Sequence, residues 1–346
     1  MKYLCIDIGS TSIKYAESEN GSFPEKVNKT PFPEALPLPE PFYEADAEKI
    51  FSIVKKIIDS SSAEAVMFSV QMHGYVLADK RGGLLTGYIS WRDKRAGLKP
   101  YGFSLSPEHG VKLKYNLPRA SVIVTATLFP EIAKEAEVFY TLGSYLAFRL
   151  TGNNVTHITD AAASGFYNCI TGRIDFDEKD YPVKLSLPTA FTEVKPAGVY
   201  NGKTIYTPVG DQQATILGLG ENDCYILNLG TAAQMCEMGD IFLSGDFECR
   251  PFFDGKFLYT VTGLYGGGYI RENSRGKGIE EALVSDYKKA LEKLPEKKNL
   301  IVTGGTLEYH KDLIFGVLKE LNVKSRIAGK ADAINGLCYL AKAEEK

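Results

Sequence analysis

The chain has 346 residues, which is long enough for two domains that each bury a substantial core. Its composition is that of an ordinary globular protein, with 44% hydrophobic and 24% charged residues and a formal net charge of −3. This slightly acidic balance gives no electrostatic reason to expect a nucleic acid or a membrane surface as partner, so we expect a small-molecule partner.

The first predicted element is a β-hairpin at the N-terminus. Residues 3–8 are rich in apolar side chains, residues 9–12 read Gly-Ser-Thr-Ser, and residues 13–16 resume a strand pattern. Asp46 is expected to cap a helix that runs to about residue 59. The next buried strand, 65–70, ends in a polar Gln-Met-His-Gly loop at residues 71–74.

The middle of the chain is predicted to be helical around residues 131–134 and 143–150. Residues 191–208 are predicted to be a loop-rich hinge. Beyond this hinge the hairpin pattern restarts: residues 5–14 and 226–235 each contain an apolar strand with Asp or Asn, then Gly, then Thr, then a second strand. This repeat predicts two similar domains, which we expect at 1–207 and 208–346.

Cysteine usage and the N-terminus indicate where the protein works. The six cysteines are scattered without a Cys-x-x-Cys pair, which argues against a zinc site and a disulfide framework. The opening residues lack the apolar run of a signal peptide, and no run of about 18 apolar residues predicts a membrane span. The expected location is a reducing cytoplasm.

The repeated turns have the chemistry of a phosphate site. A phosphate needs backbone N–H donors at close range, and glycine lets the main chain approach without a Cβ in the way. Ser and Thr add hydroxyl donors, and Asp7 beside the first turn can hold the water ligands of Mg²⁺. A single turn of this kind is about as often a simple hairpin connection as a phosphate site. Two copies, with a third glycine turn at 304–306, favour a nucleotide site.

Taken in order, these motifs resemble those of the FGGY carbohydrate kinases, which belong to the actin/hexokinase/Hsp70-like superfamily. Residues 7–11 resemble the first phosphate hairpin of the family, and residues 71–74 resemble the sugar loop of ketose kinases such as xylulokinase. Trp-Arg-Asp at 91–93, Arg-Leu-Thr-Gly at 149–152 and the Thr-Asp to Ser-Gly segment at 159–165 resemble further family segments. Gly-Asp-Gln at 210–212 is similar to the start of the second domain, where the family carries its catalytic aspartate.

The resemblance implies an α/β fold of two actin-like ATPase domains, a duplicated ribonuclease H-like βββαβαβα arrangement, with ATP in the interdomain cleft. It implies an ATP-dependent sugar kinase in which Asp211 accepts the proton of the attacked hydroxyl and Asp7 holds Mg²⁺ through water. The residues expected to bind the sugar are Gln71, Met72, His73, Trp91, Asp93, Asp211 and Gln212. The residues expected to bind ATP are Gly9, Ser10, Thr11, Ser12, Lys14, Gly230, Thr231, Gly267, Gly268, Gly304, Gly305 and Thr306.

Within the family, three stretches are similar to sedoheptulokinase: residues 228–234, residues 250–252 with 258–259, and residues 264–268. Sedoheptulose is therefore the expected substrate, with xylulose or another ketose or polyol as the alternative. The stretch from 268 to 302 is much shorter than in ordinary members, which indicates a shortened C-terminal domain.

Structural roles stay open for several of these residues. Asp211 is also suited to cap a helix that begins near residue 212. His73 is a sugar ligand or a structural side chain, and Lys14 neutralises phosphate or is merely solvated. Asp93 pairs with a sugar hydroxyl or with arginines 92 and 95, and Trp91 stacks on the sugar or lies in the core.

Two other classes of function stay open. A non-catalytic sugar or nucleotide sensor on the same fold would fit the shortened second domain, whereas the retained Asp7 and Asp211 argue against it. An Hsp70- or actin-like ATPase that binds protein fits less well, because the loop at 71–74 presents polar groups suited to a small polyol. The sequence leaves open which hydroxyl is attacked and whether the chain forms a homodimer.

Overall fold

The computed structural model describes residues 1–98, 117–174, 183–273, 278–295, 297, 299–328 and 332–345. Its strands are β1 (Lys2–Ile8), β2 (Ser12–Glu19), β3 (Asn28–Pro31), β4 (Glu44–Ala45), β5 (Ala65–Val70), β6 (Tyr75–Ala78), β7 (Tyr88–Ile89), β8 (Val138–Thr141), β9 (Val155–His157), β10 (Tyr167–Asn168), β11 (Arg173–Ile174), β12 (Thr189–Phe191), β13 (Pro196–Tyr200), β14 (Lys203–Tyr206), β15 (Val209–Gly210), β16 (Tyr225–Leu229), β17 (Ala233–Gly239), β18 (Glu248–Pro251), β19 (Phe257–Leu264), β20 (Asn299–Thr303) and β21 (Lys324–Ile327). Its helices are α1 (Ala47–Ser60), α2 (Pro118–Leu128), α3 (Pro130–Glu135), α4 (Leu142–Thr151), α5 (Ile158–Ala161), α6 (Asp211–Gly218), α7 (Gly267–Glu272), α8 (Ile279–Leu291), α9 (Leu307–Glu320) and α10 (Ala333–Ala343).

The first compact unit comprises Met1–Gly218 and Ala333–Lys346. Its main sheet has the strand order β13-β14-β5-β1-β2-β3, and β15 also pairs with β5. Strands β1 and β2 form an antiparallel hairpin, whereas β5 runs parallel to β1. All six residues of β5 are buried, as expected for a parallel strand covered on both faces.

Helix α1 shows how closely local signals predict this unit. The carboxylate of Asp46 accepts the N–H of Lys49 at 3.0 Å, so the predicted cap is confirmed. The apolar residues of α1 recur every three to four positions and are buried, with Ile50 and Ile58 fully inaccessible to solvent. They pack into a core with residues of β1 and β5.

The second compact unit, Leu219–Asp332, repeats the central arrangement of the first. Its sheet has the order β18-β19-β17-β16-β20-β21. Strands β16 and β17 form an antiparallel hairpin and β20 runs parallel to β16, just as β5 runs parallel to β1. The predicted duplication is therefore confirmed at the level of strand pairing. Between α7 and β20 the described residues form one helix, α8, in line with the short stretch seen in the sequence.

The compact units differ from the predicted boundary at residue 207. Helices α6 and α10 both belong to the first unit, so the chain leaves that unit after Gly218 and returns to it at Ala333. Gly336 of α10 explains part of this packing, because a Cβ there would lie 1.9 Å from the carbonyl oxygen of Ala214 in α6. The sequence repeat marks where the second hairpin begins, but it carries no signal for this return.

The prediction that 191–208 is rich in loops is wrong, because β13 and β14 form a hairpin there and β14 pairs with β5. Asn201 and Gly202 at its turn both have positive φ, 47° and 77°. Such an Asn-Gly pair is a strong hairpin signal, and it was available in the sequence. Among the described residues, no helix is long and apolar enough to cross a membrane.

Candidate functional site

Three parallel strands of the first unit end side by side. Asp7 of β1 is aligned with Ser69 of β5, and Ser69 is aligned with Val209 of β15. The turn after β1, the loop at 71–74 after β5 and Asp211 after β15 therefore leave the sheet at the same edge. Ligands of open α/β sheets bind outside the carboxyl ends of the strands, so this edge is the candidate site.

Asp7 is held at this edge by two neighbours. Its carboxylate is almost fully buried, and Oδ1 accepts the hydroxyl proton of Ser69 at 2.8 Å. The ammonium of Lys14, directly opposite on β2, lies 3.5 Å from Oδ2. Lys14 is thus engaged in an ion pair and is not merely solvated.

The turn after β1 is closed by a hydrogen bond from the Gly9 N–H to the Ser12 carbonyl at 3.1 Å. Thr11 is exposed at its tip, and Ser10 is half-buried. The guanidinium of Arg92 donates to the Ser10 hydroxyl at 3.3 Å. The turn therefore contacts a cation from the segment 91–93.

Arg92 is a candidate functional residue that the sequence analysis did not select. It donates to the Tyr43 hydroxyl at 2.9 Å, and its guanidinium carbon lies 5.4 Å from the ring centres of both Tyr43 and Trp91. These contacts hold a positive charge beside the hairpin turn. Trp91 is 42% exposed, so the alternative that it lies in the core is wrong.

Asp93 forms an ion pair with Arg95, which is one of the alternatives that the sequence left open. The Arg95 Nε donates to Oδ1 and its Nη2 to Oδ2, each at 2.8 Å, and the Tyr43 N–H donates to Oδ2 at 2.6 Å. Arg95 is 1% exposed and also pairs with Glu44 at 2.6 Å. Since both oxygens of Asp93 accept hydrogen bonds from the protein, its evident role is to hold this segment.

The loop at 71–74 combines a buried amide with a strained histidine. The Oε1 atom of Gln71 is buried and has no hydrogen-bond partner within the described ranges, although its Nε2 lies 3.5 Å from the Gly9 carbonyl. His73 has a φ of 63°, in the left-handed region that non-glycine residues rarely adopt. Its Nδ1 lies 3.0 Å from the Ala163 carbonyl, which can only accept, so Nδ1 carries a proton.

Gly74 closes this loop over a buried tyrosine. A Cβ at Gly74 would lie 2.2 Å from the Tyr88 hydroxyl, so only glycine fits. That hydroxyl is fully buried and finds no hydrogen-bond partner in the part of the chain that the structure describes. Burial raises the pKa of Tyr88 well above its usual value, and the charges of Asp160 and Asp211 raise it further.

Asp211 is the first residue of α6, and its backbone is fixed by the residue before it. The carboxylate Oδ1 accepts the Gln212 N–H at 2.8 Å, so the predicted position at a helix start is confirmed. A Cβ at Gly210 would lie 2.7 Å from the Met72 sulfur and 3.2 Å from the Thr159 carbonyl. Met72 and Gln212 are buried, so the protein contacts them closely.

Asp160 and His157 are buried titratable groups next to this site. Asp160 accepts the hydroxyls of Thr141 and Thr156 at 2.5 and 2.7 Å, and burial raises its pKa to about 6. Burial lowers the pKa of His157 to about 4. At neutral pH the histidine is therefore neutral.

The glycine turns of the second unit are tied to one another. The N–H groups of Gly267 and Gly268 donate to the carbonyls of Gly230 and Thr231, each at 2.8 Å. The Thr306 hydroxyl donates to the same Gly230 carbonyl at 2.9 Å. The structure thus brings the three predicted turns of this unit into one cluster, and two of the predicted N–H donors hold that cluster together.

Two neighbouring glycines of this cluster have different surroundings. Gly304 has a φ of 112°, and a Cβ there would lie 2.4 Å from the Leu229 carbonyl oxygen. A Cβ at Gly266 would lie 2.7 Å from the Gly230 carbonyl oxygen, so Gly266 is also a packing glycine. A Cβ at Gly305 would meet no atom within 4 Å among the described residues. Gly305 therefore presents a bare backbone to open space.

Solved structures with the same fold include carbohydrate and glycerol kinases. A xylulose kinase from Lactobacillus acidophilus superposes with a TM-score of 0.83 over 99% of this chain and 89% of that chain, at 18% identity. A Plasmodium falciparum glycerol kinase with ADP superposes with a TM-score of 0.81 over 100% and 90%, at 16% identity. The chain therefore has the two-domain actin-like ATPase fold that these kinases share.

Curated relatives also include sugar kinases. An uncharacterized sugar kinase from Archaeoglobus fulgidus is 26% identical over 62% of this chain and 52% of its own length. A xylulose kinase from Bacillus subtilis is 27% identical over 47% of this chain and 36% of its own length. The chain thus spans about half or less of these relatives. A scan against models of known protein families finds no match.

We predict that His157 and Asp160 make opposite contributions to the pH dependence of stability. The unfolded chain protonates His157 near pH 6.5 and the folded chain only near 4, so stability falls as pH falls through this window. The folded chain protonates Asp160 near pH 6 and the unfolded chain near 3.8, so stability rises as pH falls between these values. Each effect is about 3 kcal/mol when complete.

Urea unfolding followed by the fluorescence of Trp91, the single tryptophan, measures these contributions. Between pH 7 and pH 4, His157→Asn should gain stability relative to the unsubstituted protein. Asp160→Asn should lose stability over the same range. Altered packing in a variant would shift its free energy of unfolding by a similar amount at every pH, so it does not affect a comparison of how that free energy changes with pH. If the difference in free energy of unfolding between each variant and the unsubstituted protein does not change with pH over this range, the shifted pKa values of His157 and Asp160 are contradicted.

Proposed function

We propose that this protein is a kinase that transfers the γ-phosphoryl group of ATP to a hydroxyl of a ketose or polyol. The observation that carries the proposal is the common edge of β1, β5 and β15, which presents a phosphate-type turn, a polar loop and a fixed aspartate together. The likeness in fold to sugar and glycerol kinases supports it.

Asp211 would act as the base. Phosphoryl transfer leaves the protein mainly the tasks of alignment and charge neutralisation, and a carboxylate suffices because the proton can leave late. The Gln212 N–H bound to Oδ1 fixes one oxygen of Asp211. The carboxylate, fixed in this way, is suited to accept the hydroxyl proton as the sugar oxygen attacks the γ-phosphorus.

The 71–74 loop would bind the sugar. The buried Oε1 of Gln71 accepts no hydrogen bond within the described ranges, and a buried unsatisfied amide oxygen costs about 1–3 kcal/mol. A sugar hydroxyl would satisfy it. His73, whose Nδ1 is held at the Ala163 carbonyl, and the exposed Trp91 would provide further contacts with the sugar. Asp93 is the weakest of the proposed sugar ligands, since Arg95 already engages both of its oxygens.

In the first unit, the turn at 9–12 would bind phosphate groups of ATP. Hydroxyls and backbone N–H groups of the turn suit phosphate oxygens, and Arg92 beside Ser10 adds a cation. In the second unit, Gly305 is the best candidate for direct contact because nothing in the described chain covers it. Gly267, Gly268 and Thr306 would act indirectly, because their hydrogen bonds hold the glycine turns together.

Mg²⁺ would be held near Asp7, which we propose to act through water. The described residues contain no group of three or more acidic, histidine or cysteine side chains that could hold a metal ion. A single carboxylate together with phosphate oxygens and water is a usual Mg²⁺ environment. The chemistry that Mg²⁺ supplies is neutralisation of phosphate charge. Asp7, fixed by Ser69 and Lys14, has the oxygen donors that this ion prefers.

The identity of the sugar is a finer proposal. Relatives and solved neighbours include xylulose, gluconate and glycerol kinases. Sedoheptulose, which the three sequence stretches favour, finds no support in the names of these proteins and stays a prediction. The cytoplasmic location and the homodimer also stay predictions.

We predict that Asp211→Asn lowers kcat by roughly 10²–10⁴-fold, because the amide cannot accept the proton. A coupled ADP-release assay with ATP and Mg²⁺ against ketoses, polyols and aldoses measures this effect. Asp240→Asn, which removes an exposed carboxylate outside the site, is the matched control and should retain full turnover. If sugar-dependent turnover survives in Asp211→Asn, the proposed role of Asp211 as the base is refuted. Sugar binding without any turnover would instead favour a sensor.

We predict that two adjacent glycines respond differently to alanine. Gly305→Ala should leave thermal stability unchanged but raise the KM for ATP on the order of tenfold, since its methyl group would enter the space proposed for the nucleotide. Gly304→Ala should destabilise the second unit by about 1–3 kcal/mol, because its methyl group would collide with the Leu229 backbone. A Gly305→Ala protein with normal KM values for ATP would remove Gly305 from the proposed site.

A further inference from the structure

A chain of hydrogen bonds ends one residue before Asp211. The N–H of Gly210 donates to the Thr159 hydroxyl at 3.0 Å. That hydroxyl lies 2.9 Å from Nδ1 of His157, whose Nε2 lies 3.0 Å from the Thr192 carbonyl. Thr159 and His157 are 0% and 1% exposed, so solvent does not compete for these bonds.

Each proton in this chain has one consistent place. The Thr192 carbonyl can only accept, so Nε2 of His157 carries the proton and Nδ1 offers a lone pair. Nδ1 then accepts the Thr159 N–H at 3.3 Å and the Thr159 hydroxyl proton. With its proton directed toward the imidazole, the hydroxyl oxygen turns its lone pairs to the Gly210 N–H. The opposite tautomer would place a proton on Nδ1 against the Thr159 N–H.

The backbone of His157 also contacts Pro208, the residue before β15. The His157 N–H donates to the Pro208 carbonyl at 3.0 Å. Strand β15 has only two residues and pairs with β5. The Thr159 hydroxyl therefore contacts the backbone at the residue before Asp211. Burial keeps His157 neutral and so preserves the acceptor that orients this hydroxyl.

We propose that His157 and Thr159 are positioning residues for Asp211: the imidazole orients the Thr159 hydroxyl, which holds the Gly210 N–H and so sets the direction of the carboxylate. This inference rests on the proposed role of Asp211 as base. The 71–74 loop and the glycine turns supply the proposed substrate contacts. Loss of the Thr159 hydroxyl should therefore affect kcat more than KM.

The test compares Thr159→Val, which keeps the shape but removes the hydroxyl, with Thr159→Ser, which keeps the hydroxyl. Displacement of a reacting group by about 1 Å costs on the order of 10²-fold in rate. We expect kcat of Thr159→Val to fall roughly 10- to 100-fold, with KM values for sugar and ATP within about threefold, and Thr159→Ser to stay near the unsubstituted protein.

His157 gives an independent pair of variants if Thr159→Val does not fold. Asn places an acceptor near the position of Nδ1, so His157→Asn should retain more of kcat than His157→Leu. In the Asp211→Asn background, Thr159→Val should cause no further loss, because the group that it positions is already gone.

The outcomes separate this inference from the proposed function. If Asp211→Asn abolishes turnover but Thr159→Val has a normal kcat, the positioning role is refuted and the base stands. Equal losses in Thr159→Val and Thr159→Ser, accompanied by equal losses of thermal stability, would also refute positioning. If Asp211→Asn itself turns over normally, the proposed function fails first.

Discussion

The candidate site depends on one constraint, the parallel register of β1, β5 and β15. Asp7, Ser69 and Val209 lie in one row of the sheet, so three distant chain segments leave the sheet at one edge. A slip of one residue in β5 would turn its side chains to the opposite face, and the loop at 71–74 would lose its place beside the hairpin turn. Burial of every residue of β5 makes such a slip costly.

The turn of the hairpin in the second unit makes different contacts from the corresponding turn in the first unit. In the first unit the turn after β1 is closed within itself, by the Gly9 N–H, and it contacts Arg92 from outside. In the second unit the turn after β16 is held by donors from two other turns, including those of Gly267 and Gly268. Among the glycines of these three turns, only Gly305 has no described atom within 4 Å of an added Cβ. The repeat thus conserves strand pairing, whereas the contacts of the turns differ.

Features that depend on neighbouring residues could be predicted from the sequence, whereas contacts between residues far apart in the chain could not. The helix after Asp46 and the turn after β1 follow from short motifs, because capping and turn chemistry act within a few residues. The sequence could not assign Arg95, instead of Arg92, to Asp93, since that choice depends on packing around Tyr43. The contact of Thr159 with Gly210 spans 51 residues, and the return of α10 spans more than 100. The β13–β14 hairpin was predictable from its Asn-Gly turn and was overlooked.

The most direct test of the central claim is ³¹P NMR of the protein with ATP, Mg²⁺ and a mixture of ketoses and polyols. A kinase that uses Asp211 as base should form ADP and a phosphate monoester of one sugar in equal amounts, and Asp211→Asn should form neither at a comparable rate. Formation of ADP and inorganic phosphate at a rate that no sugar changes would contradict the account, because it would mean that water and not a sugar hydroxyl is the acceptor.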